Sequence, residues 1–184
     1  MSDEPWEDGW WANAQRAPSP HWDDLPPAAA VELVVIHAIS LPPDRFGTGE
    51  VQRFFQGLLD FAADPYYAQL RELRVSAHFF IERTGKIWQH VPTDGRAWHA
   101  GVSAWRGRSA CNDFSIGIEL EGNAVEPFAE LQYHSLNGLL GALRQRYPTL
   151  AGDAIAGHSE VAPGRKWDPG PQFDWQRLEH FRHD

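Results

Sequence analysis

Four consecutive apolar residues, Leu33-Val34-Val35-Ile36, three of them β-branched, leave this chain few folds to choose from. The run has no polar side to offer water, so it predicts a strand covered on both faces, in the interior of a sheet. Phe114 to Glu121 alternates strictly, which places Phe114, Ile116, Ile118 and Leu120 on a core face and Ser115, Gly117, Glu119 and Glu121 on the other. Ser76 to Arg83 and Lys86 to Val91 meet at Thr84-Gly85 and predict a β-hairpin, and a short strand is expected at Ala154 to Ala156. Helical spacing is carried by Val51, Phe54, Phe55, Leu58 and Leu59, predicting a helix that runs to about Ala63, with a brief helical turn over Tyr66 to Leu73. Leu131, Leu136, Leu139, Leu140 and Leu143 mark a second amphipathic helix from about Ala129 to Tyr147, stopped by Pro148. Trp175, Leu178 and Phe181 suggest a final short helix. Strands mixed with helices, some pairing as hairpins, predict an α/β (mixed) fold with a central mixed β-sheet flanked by helices.

A chain of 184 residues suits one domain with a full core. Residues 1–30 interleave Trp6, Trp10, Trp11 and Trp22 with Pro18, Pro20, Pro26 and Pro27, and are expected to form an irregular arm packed on a domain of residues 31–184. The long segment from Pro92 to Asn112, with Trp98, His99, Gly101 and Trp105, is expected to be a functional loop over a cleft. The formal net charge of -9 argues against a nucleic-acid partner. A single cysteine, Cys111, allows no internal disulfide and suits a reducing compartment. The acidic start lacks the cationic and apolar regions of a secretory signal, and no segment approaches the ~20 apolar residues that span a bilayer, so a cytoplasmic protein with no membrane partner is expected.

None of the nine histidines falls in a compact metal signature such as His-Glu-x-x-His. His37 stands out because it ends the buried-type strand and opens a Pro-rich loop, where open sheets present functional side chains. His158 follows Gly157 in a similar setting. A hydrogen-bonded structural imidazole accounts for either histidine alone, and a turn-forming role accounts for Asp168 before Pro169. Two histidines and a carboxylate from separate segments would instead make a three-ligand zinc site with an open fourth position. Glu119 is either a carboxylate held rigidly on a strand or a solvent-facing residue beside Glu121. Lys166, one of two lysines in an arginine-preferring chain, is either a compact charge near chemistry or a solvated loop lysine.

Several motifs occur together and in one order: Val35-Ile36-His37, Ser40-Leu41-Pro42-Pro43, Leu73-Arg74-Val75-Ser76-Ala77-His78, Ala97-Trp98-His99-Ala100-Gly101, Cys111-Asn112-Asp113 followed by Phe114 to Gly122, Gly157-His158 and Asp168-Pro169-Gly170. From about Gly9 to Arg182 the chain resembles the AmpD-like 1,6-anhydro-N-acetylmuramyl-L-alanine amidases, of the type 2 amidase and peptidoglycan-recognition-protein superfamily. The resemblance implies that superfamily's fold, that His37, His158 and Asp168 hold Zn²⁺, that Glu119 is the catalytic carboxylate, and that Lys166 helps stabilise the transition state. It further implies that Arg74 binds the anionic stem peptide and that Trp98 and His99 lie at the substrate cleft. The expected activity is zinc-dependent hydrolysis of the amide between N-acetylmuramic acid, in the 1,6-anhydro form, and the L-alanine of a small muropeptide during cytoplasmic cell-wall recycling.

The chain departs from the family pattern at Ala38, commonly Asn, and at Ala110, commonly Arg, with Arg106 and Arg108 near enough to compensate. Two other readings stay open at this stage. One is a phage-type or wall-acting amidase that uses polymeric peptidoglycan, and the other is a non-catalytic muropeptide-binding module.

Overall fold

The structure, a computed structural model, describes residues 5–150 and 152–178. In chain order its strands are β1 (Trp6–Glu7), β2 (Trp10–Trp11), β3 (Gln15–Arg16), β4 (Trp22–Asp24), β5 (Leu33–Ile39), β6 (Phe79–Ile81), β7 (Ile87–Gln89), β8 (Gly95–Ala97), β9 (Ala104–Trp105), β10 (Arg108–Ser109), β11 (Ser115–Glu121) and β12 (Ile155–Gly157). Its α-helices are α1 (Glu50–Phe55), α2 (Glu130–Arg146) and α3 (His158–Val161), with 3₁₀ turns at Pro65–Leu70, Cys111–Asp113 and Trp175–Leu178. A six-stranded sheet of order β12-β5-β11-β6-β7-β3 forms the frame. β12, β5, β11 and β6 run parallel, β6 and β7 form the antiparallel hairpin, and β3 is parallel to β7, so the sheet is mixed as the pattern predicts.

β5 and β11 are the central strands, and Leu33 to Ile36 are at most 1% exposed. Their side chains divide between two cores. Val34 and Ile36 join Ile116, Ile118 and Leu120 beneath Leu136, Leu139, Leu140 and Leu143 of α2. Each Leu fully buried this way contributes about 1.5–3 kcal/mol, so the spacing of α2 is what holds it to the sheet. On the opposite face Leu33 and Val35 pack with Ala100, Cys111, Phe114, Ala156 and Val161.

That second layer corrects the reading of β11 as a strand with one wet face. All seven of its residues are buried, because the 98–114 segment lies over the side bearing Ser115, Gly117 and Glu119. Glu121 is not solvated either; its carboxylate accepts the Gly47 N–H at 2.6 Å and the Arg83 N–H at 3.2 Å. Phe114 sits with Leu33 and Val35, opposite Ile116, because it closes the Cys111–Asp113 turn with ψ 18° and falls outside the strand alternation. The first helix stops at Phe55 instead of Ala63, since Gly57 turns the chain at φ 71° and leaves Leu58 exposed while Leu59 is buried. The 92–112 segment carries β8 and the β9–β10 hairpin, so it is less irregular than its composition suggests.

The segment before residue 31, expected to be irregular, holds four short strands. β3 extends the main sheet, β4 pairs with β8, and Trp11 is buried in the α2 core. The final turn ends at Leu178, and Phe181 lies outside the described residues. No helix among the described residues is long and apolar enough to cross a membrane.

Candidate active site

The carboxyl ends of three parallel strands, β12, β5 and β11, meet on one side of the sheet, which is where open α/β sheets bind ligands. His37 on β5 lies in register with Glu119 on β11. Gly157 pairs with Ile36, and His158 follows it as the first residue of α3. Asp168 is brought to the same point by a loop whose backbone carbonyl accepts the Ser159 N–H at 2.8 Å. A side chain at position 157 would start 2.9 Å from Pro169 Cδ, so glycine there lets the Asp168-Pro169 segment close on the strand end.

His37, His158 and Asp168 are all buried, and each offers one ligand atom to a common point. His37 Nδ1 is 2.9 Å from His158 Nδ1, His158 Nδ1 is 3.0 Å from Asp168 Oδ2, and His37 Nδ1 is 3.2 Å from that same oxygen. The other His158 nitrogen lies 3.2 Å from the Ala100 carbonyl, which can only accept, so Nε2 carries the proton and Nδ1 presents a lone pair. Burial lowers the His37 pKa to about 4, which keeps that ring neutral. Burial opposes ionisation of Asp168, but the imidazoles of His158 and His37 against its Oδ2 outweigh this and lower the carboxyl below its usual range. Two neutral imidazoles and an ionised carboxylate, with the fourth side open to a cavity, are the donor set of a catalytic zinc site, and these residues fit a divalent metal.

Glu119 stands beside this triangle with Oε1 4.0 Å from His37 Nδ1. Its Oε2 is buried without a hydrogen-bond partner among the described residues. Burial, followed by the charge of Asp168, raises its pKa well above the ordinary carboxylate value, while Lys166 pulls it down. A buried carboxyl whose proton affinity is raised in this way is suited to accept a proton and give it back.

The triangle and Glu119 line a cavity of about 770 Å³. Lys166 lines it too; it is exposed, and its ammonium makes no hydrogen bond or ion pair among the described residues. Trp98 lines the cavity with its indole N–H donating to Asp23 at 3.0 Å. His99 forms part of the wall, but both its ring nitrogens are engaged, one 2.9 Å from His37 Nε2 and the other 3.3 Å from the Ser115 hydroxyl. Arg74 is not in the lining. It is exposed, between the lining residues Leu73 and Val75, and its guanidinium donates to the carbonyls of Arg71 and Leu73. Ala38 lines the cavity next to His37, whereas Ala110 does not. Arg106 pairs with Asp153 and Arg108 with Glu32, and neither lines the cavity.

Two parts of the site are not marked by sequence periodicity. One is an apolar lobe of the cavity, lined by Phe54, Tyr66, Leu70 and Leu73, whose spacing registers only as helix core. The other is Asn112, whose side-chain oxygen accepts the N–H groups of His99 and Ala100 and so fixes the loop beside the candidate metal ligands. Its place in the Cys-Asn-Asp triplet was the available hint.

Comparison with known proteins identifies the family and supports the fold. The N-acetylmuramoyl-L-alanine amidase family matches residues 27–171. The 1,6-anhydro-N-acetylmuramyl-L-alanine amidase AmpD of Haemophilus influenzae is 50% identical over 171 residues, covering 93% of each chain. The crystal structure of a selenomethionine AmpD derivative superposes with a TM-score of 0.92 at 49% identity, over 96% of this chain and 98% of that one. The Escherichia coli N-acetylmuramyl-L-alanine amidase AmiD, solved with the substrate anhydro-N-acetylmuramic acid-L-Ala-D-γ-Glu-L-Lys, gives a TM-score of 0.61 at 32% identity, over 84% of this chain and 59% of that one. Sequence, fold and site agree that this chain belongs to the N-acetylmuramoyl-L-alanine amidase family of enzymes.

Proposed function

We propose that this protein is a zinc-dependent amidase that cleaves the bond between 1,6-anhydro-N-acetylmuramic acid and the L-alanine of soluble muropeptides, in cytoplasmic cell-wall recycling. The observation that carries the proposal is the convergence of His37, His158 and Asp168 next to the buried, unpaired Oε2 of Glu119. The relatives' substrates support the sugar and peptide assignment, AmpD by its name and AmiD by its bound substrate. We assign residues 31–184 to the catalytic domain and residues 1–30 to an arm packed on it.

In this reading His37, His158 and Asp168 hold the metal. A zinc ion bound by them supplies a Lewis acid at the scissile carbonyl and makes water more acidic. Glu119 accepts a proton from the attacking water at its carboxylate and returns it to the departing amine, without which an amide nitrogen leaves poorly. Lys166 directs its ammonium toward the oxygen that gains charge in the tetrahedral transition state, an interaction stronger there than with the neutral carbonyl. Trp98 and His99 form walls that orient the substrate, and Arg74 meets the anionic stem peptide from the rim, exchanging its backbone carbonyl partners for a carboxylate.

The experiment compares turnover of a purified anhydro-muropeptide with product release from intact sacculi. Efficient cleavage of the soluble substrate with little release from sacculi is the expected result. Release from sacculi alone would replace the recycling role with action on polymeric wall. Binding without hydrolysis after zinc is restored would replace it with a recognition module.

A further inference from the structure

A histidine holds a metal through one nitrogen only if its proton sits on the other, and what fixes that choice for His37 is not obvious from its own strand. The other His37 nitrogen, Nε2, faces a second imidazole, His99 Nδ1, at 2.9 Å. Between two neutral rings such a contact works in either direction, so it leaves the tautomer open unless His99 is itself fixed. The fixing continues outward. His99 Nε2 is 3.3 Å from the Ser115 hydroxyl, and that hydroxyl is 2.6 Å from the Cys111 carbonyl.

A carbonyl oxygen accepts and never donates, so the chain can be read back from it. Ser115 gives its only hydroxyl proton to Cys111 O and presents a lone pair to His99. His99 then carries its proton on Nε2 and offers Nδ1 as an acceptor. His37 satisfies that acceptor by carrying its proton on Nε2, which leaves Nδ1 bare and aimed at Asp168 and His158. Reversing any link leaves two donors or two lone pairs facing each other in a buried place, a loss of about 1–3 kcal/mol.

We infer that His99 is a positioning residue, which, held by Ser115 and the Cys111 carbonyl, sets His37 in the tautomer that ligates through Nδ1. Two features of the fold serve this role. Gly117 has no side chain where the His99 ring packs, for a Cβ there would lie 2.4 Å from His99 Cγ. Asn112 holds the His99 backbone N–H through its side-chain oxygen at 3.3 Å. The inference rests on the metal-site reading above and adds to it the group that orients one ligand.

The test uses the zinc-loaded protein, with imidazole ¹⁵N–¹H correlation spectra and zinc affinity measured against a chelating indicator. In the unaltered chain, the His99 signals are expected to report a proton on Nε2 and a bare Nδ1. His99→Leu removes the acceptor, frees His37 to move its proton to Nδ1, and is expected to weaken zinc binding by about ten- to a hundredfold. His99→Asn, whose oxygen takes the place of Nδ1, is expected to recover most of that loss. A proton on His99 Nδ1 in the zinc-loaded protein overturns the inference, even if every variant misfolds. So does a folded His99→Leu that binds zinc as tightly as the unaltered chain. In both cases zinc is still bound and the metal site stands, whereas failure of the unaltered chain to bind zinc removes the metal site and this inference with it.

Discussion

The free oxygen of Glu119 is costly to the fold, and the proposed chemistry puts that same oxygen to use. Burial without a partner raises its pKa, so the folded protein binds this proton more tightly than the unfolded chain does. The stability that this group contributes is therefore lost as pH rises through the unfolded carboxylate value and beyond. Glu119→Gln removes that loss. In the metal-stripped protein at neutral pH the variant is expected to melt higher than the unaltered chain, and a lower melting temperature would mean the carboxylate has a partner. The same variant, and Lys166→Ala, are expected to retain zinc while turnover falls by about 10²–10³, the usual cost of removing one group that acts on the transition state. Metal analysis and steady-state kinetics on the same samples check this, and near-normal turnover in either variant would remove that residue from the mechanism.

At the scale of elements, the site depends on β11 passing close beneath His99. Gly117→Ala is expected to displace the His99 ring and to destabilise the fold by about 1–3 kcal/mol, as overpacking does. Denaturant unfolding measures the loss, and an alanine tolerated without cost would show that the ring has room to move. The elements themselves were legible to different degrees for physical reasons. Leu33 to Ile36 signalled an interior strand because both faces are covered, and the leucines of α2 signalled a helix because one face is. The end of α1 was hidden because Leu58 and Leu59 continue the apolar spacing past the turn that Gly57 makes. Phe114 was misplaced because alternation cannot reveal a 3₁₀ turn that rotates one residue out of phase. The burial of Glu119 depends on the 98–114 segment folding over the strand, a tertiary fact with no periodic trace. The three candidate ligands lie far apart in sequence, so only the family resemblance groups them; in the fold their candidate ligand atoms lie within 4.8 Å of one another.

For the molecule as a whole, acid is expected to be destabilising independently of the metal. Burial lowers the pKa of His78 and of His90 to about 4, against about 6.5 when unfolded. Between those values the unfolded chain takes up protons that the folded one refuses, so stability falls as pH drops from about 6.5 to about 4, by about 3 kcal/mol for each group. His78 has no way to accommodate a second proton: Nδ1 accepts the Gly117 N–H and Nε2 donates to the Gly95 carbonyl. His78→Asn, which keeps an acceptor for Gly117, is expected to flatten the pH dependence of unfolding over this range, and an unchanged slope would place the effect elsewhere.

All of the proposed chemistry depends on one divalent ion held by His37, His158 and Asp168. The direct measurement is metal content and anhydro-muropeptide hydrolysis on one preparation before chelation, after chelation and after zinc is returned, with His158→Ala alongside. One zinc per chain, hydrolysis lost on chelation and regained with zinc, and neither property in His158→Ala are the expected results. Hydrolysis that continues undiminished in the metal-stripped protein would contradict the account.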